Sequence, residues 1–136
     1  MIKEMEYSSV RSVERIADGN YKGLDFYVLS LGTHPCAYIA VSDTPLAGKD
    51  YDDIWIDCHG GLTYGRNRLV TVDKKGWFIG WDYAHYGDYC GGCFFAMGDK
   101  RWTTEEIVEE CKSVIEQINE IIAHKQQVKG EIGGKL

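Results

Sequence analysis

Residues 24–41 read LDFYVLSLGTHPCAYIAV. Two runs rich in aromatic and β-branched residues, LDFYVLSL and CAYIAV, flank Gly32-Thr33-His34-Pro35, a stretch that breaks a strand. The pattern predicts two strands paired as a hairpin, the second buried on both faces or nearly so. Upstream, Asp18-Gly19-Asn20 is a turn signal, and Val10, Val13 and Ile16 fit either a helical turn or the lead-in to a strand. Downstream, Pro45 and Gly48 mark a loop that ends in Asp50, Asp52 and Asp53. Three such carboxylates can hold a hard cation, but without EF-hand spacing they read as a solvated acidic loop. Residues 54–57 restart the sheet. Residues 69–72 and 77–81 flank Asp73-Lys74-Lys75-Gly76 as a further hairpin.

The C-terminal third carries a helix. Thr103 is a good N-cap, Glu106 completes a T-x-x-E capping box, and Trp102 and Ile107 sit where a hydrophobic staple places them. Ile107, Cys111, Val114, Ile118 and Ile122 recur at helical spacing, with Val108, Ile115 and Ile121 widening the stripe. The expected fold is therefore α+β, an antiparallel sheet of about five strands with one long C-terminal helix. Residues 1–127 form a single domain, and residues 128–136, VKGEIGGKL, read as a flexible tail. One helix covers one face of such a sheet, which leaves the other face, or the far side of the helix, as a candidate oligomer interface.

The chain has 136 residues and a net charge of −6, a balance that disfavours non-specific binding to nucleic acid or to an anionic membrane face. No run approaches the ~18 apolar residues of a membrane span, and the opening MIKEMEYSS lacks the apolar core of a signal peptide. With five cysteines, an odd number, these features point to reduced thiols and a cytoplasmic setting.

Chemistry concentrates in residues 58–88, CHGGLTYGRNRLVTVDKKGWFIGWDYAHYGD. Gly60 and Gly61 let the backbone turn sharply and present N–H groups to an anion. Thr63 and Tyr64 add hydroxyls, and Arg66 and Arg68 can hold phosphate or carboxylate. No helix follows, so this is neither a P-loop nor a Rossmann turn. Asp82, His85 and Asp88 form D-x-x-H-x-x-D, in which a carboxylate beside an imidazole suits a general base or a metal ligand. With His59 the set is two His and two Asp, enough for a divalent metal. The bland alternative is a tight turn with hydrogen-bonded histidines. Cys90-x-x-Cys93 is half of a zinc-ribbon pattern and reads foremost as free thiols. Cys58 and His59, as neighbours on an extended chain, point apart and are badly placed to act on each other.

The blocks HGGLTY (His59 to Tyr64) and GWDxxHxGD (Gly80, Trp81, Asp82, His85, Gly87, Asp88) resemble a largely uncharacterised family of small phage and prophage proteins. The helix-opening segment KRWTTEEIVEEC adds to the likeness; the CxxC is not part of the family pattern. The resemblance transfers motif positions, not catalytic roles, and its phage setting implies a counter-defence factor acting in the host cytoplasm. The leading expectation is an oligomeric, non-enzymatic binding protein, or sponge, with no cofactor. It sequesters a nucleotide-derived signal, such as a cyclic nucleotide or a cyclic ADP-ribose-like molecule. His59, Gly60, Gly61, Thr63, Tyr64, Arg66, Trp81, Asp82, His85 and Asp88 are its candidate ligand-binding residues. The alternatives are a metal-dependent hydrolase of a similar ligand, using His59, Asp82, His85 and Asp88, and a protein–protein inhibitor with a tyrosine-rich face. Cys90 and Cys93 are a weaker candidate metal pair.

Overall fold

A computed structural model describes residues 2–92 and 99–134, with side chains through Lys125. Five strands, β1 (Glu14–Tyr21), β2 (Leu24–Ser30), β3 (Pro35–Ala40), β4 (Tyr64–Arg66) and β5 (Phe78–Asp82), are followed by one helix, α1 (Thr104–Gly134). The strands form a single sheet in the order β1-β2-β3-β5-β4, with every neighbouring pair antiparallel. The fold is α+β, as the strand and helix patterns predict.

The β2–β3 hairpin forms at the expected place, with Ser30 opposite Pro35. The preceding turn does not. Lys22 (φ 47°) and Gly23 (φ 92°) make the β1–β2 connection, a pair of positive φ values matching a two-residue type I′ turn. Asp18-Gly19-Asn20 instead lies inside β1. Gly19 is tolerated there because the Phe26 ring lies over it, 2.9 Å from where a Cβ would stand. A bulge between Arg15 and Ala17 turns both Ile16 and Ala17 into the core.

Two further expectations are corrected. Residues 54–57 belong to no strand: Ile54 N donates to Tyr51 O, and a side chain takes both backbone groups of Asp57. The Gln117 amide accepts from Asp57 N (2.8 Å) and donates to Asp57 O (2.7 Å). Ile54 and Ile56 still bury themselves, while Trp55 between them is 94% exposed. Residues 69–72 are a turn, with Thr71 at φ 72° and Val72 N donating to Leu69 O. The partner of β5 is the short β4, and loop 67–77 connects the two.

Alternation along the strands splits the apolar residues between two faces. Phe26, Val28, Ala37, Ile39, Ile79 and Trp81 face α1 and pack with Ile107, Cys111, Val114, Ile115 and Ile118. Tyr27, Leu29, Cys36, Tyr38 and Phe78 face the other way and are buried with Leu69 from loop 67–77. The residues of this second face are thus buried within the chain itself. The capping box is realised: Thr103 N donates to Glu106 Oε1 (3.0 Å), and Glu106 N donates to Thr103 Oγ1 (3.2 Å). The tail boundary expected at Val128 falls within α1, past the last described side chain. Among the described residues no helix is long and apolar enough to cross a membrane.

Candidate functional site

The site forms where β5 ends. Asp82 leaves the strand and accepts a hydrogen bond from Ala84 N (3.2 Å), the local capture that makes Asp a turn former. Residues 85–88 close on themselves: Asp88 N donates to His85 O (2.9 Å), and His85 N donates to Asp88 Oδ2 (2.9 Å). Gly87 and Tyr89 exchange backbone hydrogen bonds with Lys100, which carries Trp102 towards Asp88. The spacing D-x-x-H-x-x-D is therefore that of two successive turns, each held by its own carboxylate.

The His59-Gly60-Gly61 turn meets this loop from the side. Gly61 N donates to Cys58 O (2.9 Å), and both glycines have positive φ, 69° and 81°. A Cβ on Gly60 would stand 2.2 Å from His85 Nε2, so only glycine lets the two motif blocks touch. Thr63 N then donates to Gly80 O, and Thr63 Oγ1 donates to Asp82 Oδ2 (3.1 Å). Tyr7 OH donates to Trp102 O (2.9 Å), tying the N-terminal segment to the same end of the sheet.

Asp88 is the hub. Its side chain is 3% exposed, and its oxygens accept from His59 Nε2 (2.7 and 2.9 Å), His85 N and Trp102 Nε1 (2.8 Å). Burial alone would raise its pKa, but these donors outweigh burial and hold it below the ordinary 3.8. Since the carboxylate can only accept, His59 Nε2 is the donor; whenever the ring is neutral, Nδ1 is its acceptor. That ring stacks on Tyr83 (4.7 Å, 8°) and meets Trp102 (4.9 Å) and His85 (5.7 Å) at an angle. Below it, Trp81 Nε1 donates to Tyr83 OH (3.0 Å), and His59 N donates to Glu110 Oε1 (2.6 Å).

His85 Nε2 lies 3.1 Å from Asp82 Oδ1, yet out of hydrogen-bonding alignment, and it is buried without a hydrogen-bond partner. His34 joins from the β2–β3 turn, with Nδ1 3.0 Å from Thr33 Oγ1 and 4.0 Å from Cys90 Sγ. Burial pushes the His34 pKa below 6.5, and Arg11 and His85 act in the same sense against Asp82 and Asp88.

Of the predicted residues, His59, Gly60, Thr63, Asp82, His85 and Asp88 come together, and Gly61 completes the turn. Three others do not join them. Trp81 is 1% exposed and packs into the helix-side core, because it alternates with Asp82 along β5. Tyr64 is on the edge strand, where its ring meets Tyr38 (5.0 Å) across the opposite face and its hydroxyl donates to Arg68 O. Arg66 stands 5.9 Å over the Tyr64 ring. Of the cysteine pair, Cys90 sits beside His34, and Cys93 lies outside the described residues. The neighbouring thiol Cys58 is pushed up to about 12, chiefly by burial, which removes it as a nucleophile near neutral pH. Sequence reasoning missed Trp102, Glu110 and His34, which come from three other parts of the chain; Tyr83, expected on an exposed tyrosine face with Tyr86 and Tyr89, is instead buried against the His59 ring, while Tyr86 is exposed. Among the described residues no group of three or more His, Cys, Asp or Glu is arranged to hold a metal ion. No protein-family model, curated protein or solved structure matches this chain.

Proposed function

We propose that the protein binds, without consuming it, a phosphorylated nucleotide-derived signalling molecule at the His59–Asp88 end of the sheet, and so acts as a counter-defence sponge. The observation that carries the reading is a rigid array of polar groups left partly open to solvent. The side chains of His59, Asp82 and His85 are 23%, 27% and 34% exposed, while the Asp88 carboxylate that holds His59 and His85 is buried. Groups fixed before a ligand arrives lose little entropy on binding it. His59 Nδ1 and the Asp82 carboxylate suit ligand hydroxyl or amino donors, and the aromatic wall of Tyr83 and Trp102 stiffens the array. The nucleotide character and the counter-defence role rest on the likeness of the HGGLTY and GWDxxHxGD blocks to phage proteins.

Binding is favoured over metal-dependent hydrolysis by the state of Asp88. A carboxylate offers about four lone-pair positions, and the donors from His59, His85 and Trp102 already occupy both of its oxygens. One observation favours the hydrolase as a second reading. The Asp88–His59 pair fixes the imidazole tautomer, as a general base requires.

The two part in one experiment. Protein purified from a nucleotide-rich lysate is weighed by native mass spectrometry, heat-denatured, and the released molecule is identified and returned to fresh protein. The sponge reading expects uptake of about one molecule per site and its recovery unchanged after a second denaturation. Continuous loss of the molecule, faster with added divalent metal, would establish the hydrolase instead.

A further inference from the structure

A cavity of about 560 Å³ opens at the other end of the sheet, lined by the β1–β2 turn, residues 40–44, loop 67–77 and the Asn119–Ile122 turn of α1. It lies about 13 Å along β5 from Asp82, four residues at ~3.3 Å each. We propose that this cleft is a second binding site, for a small molecule that joins a flat apolar ring to a phosphate-type anion. The proposal is independent of the function assigned to the His59–Asp88 end.

Size and lining come first. The volume falls within the ~300–1,000 Å³ typical of small-molecule sites. Leu24, Tyr27, Phe78 and Ile122 supply an apolar floor, with the Tyr27 and Phe78 rings edge to face at 6.2 Å. Tyr27 and Phe78 are nearly buried, so a ligand ring laid there packs chiefly on the half-buried Leu24 and Ile122. Lys22, Lys74 and Lys75 stand in the lining of this one cleft, in a chain whose net charge is −6.

Their charges are only partly answered by protein. Lys22 pairs with Glu116 (2.6 Å), Lys74 stands 3.6 Å from Asp25, and Lys75 makes no ion pair among the described residues. Asp43 adds one carboxylate to the lining, so the balance remains positive when Glu116 is left outside the cleft.

The loop that carries Lys74 and Lys75 is anchored. Trp77 N donates to Ser42 Oγ (2.8 Å), and Gly76 N donates to Asn67 O (3.0 Å). A Cβ on Gly76 would stand 2.1 Å from Ser42 Oγ, so this closure requires glycine. Ser42 accepts in that bond, and its own hydroxyl proton remains available to an anion at the mouth. The cleft thus offers one unclaimed lysine, Lys75, a second, Lys74, held only in a 3.6 Å ion pair with Asp25, and a serine hydroxyl, on loops of fixed path. That is the chemistry of a phosphate carried on an aromatic ring.

The test is an amide NMR titration of the full chain with AMP, with adenosine and inorganic phosphate titrated separately. Saturable shifts at residues 22–25, 42–44 and 74–76 are expected with AMP. Either half alone should bind at least about tenfold more weakly. The double variant Lys74→Glu/Lys75→Glu should raise the AMP Kd at least about tenfold while its melting temperature stays unchanged. Three results would overturn the proposal: no saturable shift by ~10 mM AMP, an affinity indifferent to the charge reversal, or shifts centred on His59, His85 and Asp88.

Discussion

The two ends of the sheet are polar in opposite ways. At the His59–Asp88 end the hub carboxylate is 3% exposed and spends both oxygens on donors from His59, His85 and Trp102. At the lysine end the ion-pairing side chains are open, with Lys22 at 55% and Lys74 at 73% exposure, and a cavity stands between them. The first arrangement ties polar residues to the stability of the fold. The second leaves them nearly free of it, because exposed ion pairs contribute little. A dense polar motif is therefore structural before it is anything else, and substitutions there must be read with the fold in view.

The largest effect that would sharpen this contrast is at Gly60. Gly60→Ala places a Cβ 2.2 Å from His85 Nε2 at φ 69°, and should cost about 3–4 kcal/mol in denaturant unfolding. Gly61→Ala also carries a positive φ but meets nothing within 4 Å, so about 1 kcal/mol is expected. Equal costs would show that backbone strain, and not the contact between the motif blocks, governs this turn.

Asp88→Asn comes next, at about 2–3 kcal/mol, since an amide cannot accept all the donors that converge on the carboxylate. Stability should also depend on pH in two windows. His34 has a lowered pKa, so the unfolded chain takes up its proton first, and stability present above 6.5 is lost as pH falls through the folded value. Asp88 also has a lowered pKa, so its contribution is present above 3.8 and is lost as pH falls further. Melting temperatures of His34→Gln and Asp88→Asn across pH 3–8 should each lack one of these losses. Unaltered profiles in both variants would break the assignment.

Tyr83→Phe removes the hydroxyl that receives Trp81 Nε1 in a buried setting, and should cost about 1–2 kcal/mol. Smallest is Lys75→Ala at the open end, expected within about 0.5 kcal/mol of the parent. A cost at Lys75 comparable with that at Tyr83 would erase the distinction between the two ends.

Much of the scaffold was legible in the sequence because its signals are local. The Thr103–Glu106 capping box and the apolar stripe of α1 need no distant partner, and β2 and β3 carry dense β-formers on either side of a Gly-Pro break. The failures have long-range causes. Gly19 reads as a turn until the Phe26 ring covers it, and residues 54–57 read as a strand until Gln117, 60 positions away, takes the backbone bonds of Asp57. The site divides likewise. His59, Asp82, His85 and Asp88 stood out as a polar cluster in one short stretch. Trp102 resembled only the near half of a hydrophobic staple, and Glu110 carries no local signal. Trp81 was misplaced although a signal existed: Ile79 and Trp81 share a face, and Asp82 must take the other.

The central claim is that the two motif blocks form one ligand site at the His59–Asp88 end. Its most direct test is native mass spectrometry of three proteins purified from the same nucleotide-rich lysate: the parent, His85→Ala and Lys74→Glu/Lys75→Glu. The account predicts an intact small molecule on the parent and on the lysine variant, and none on His85→Ala that has kept its fold by circular dichroism. A molecule retained by His85→Ala, or a parent that emerges with nothing bound, would contradict it.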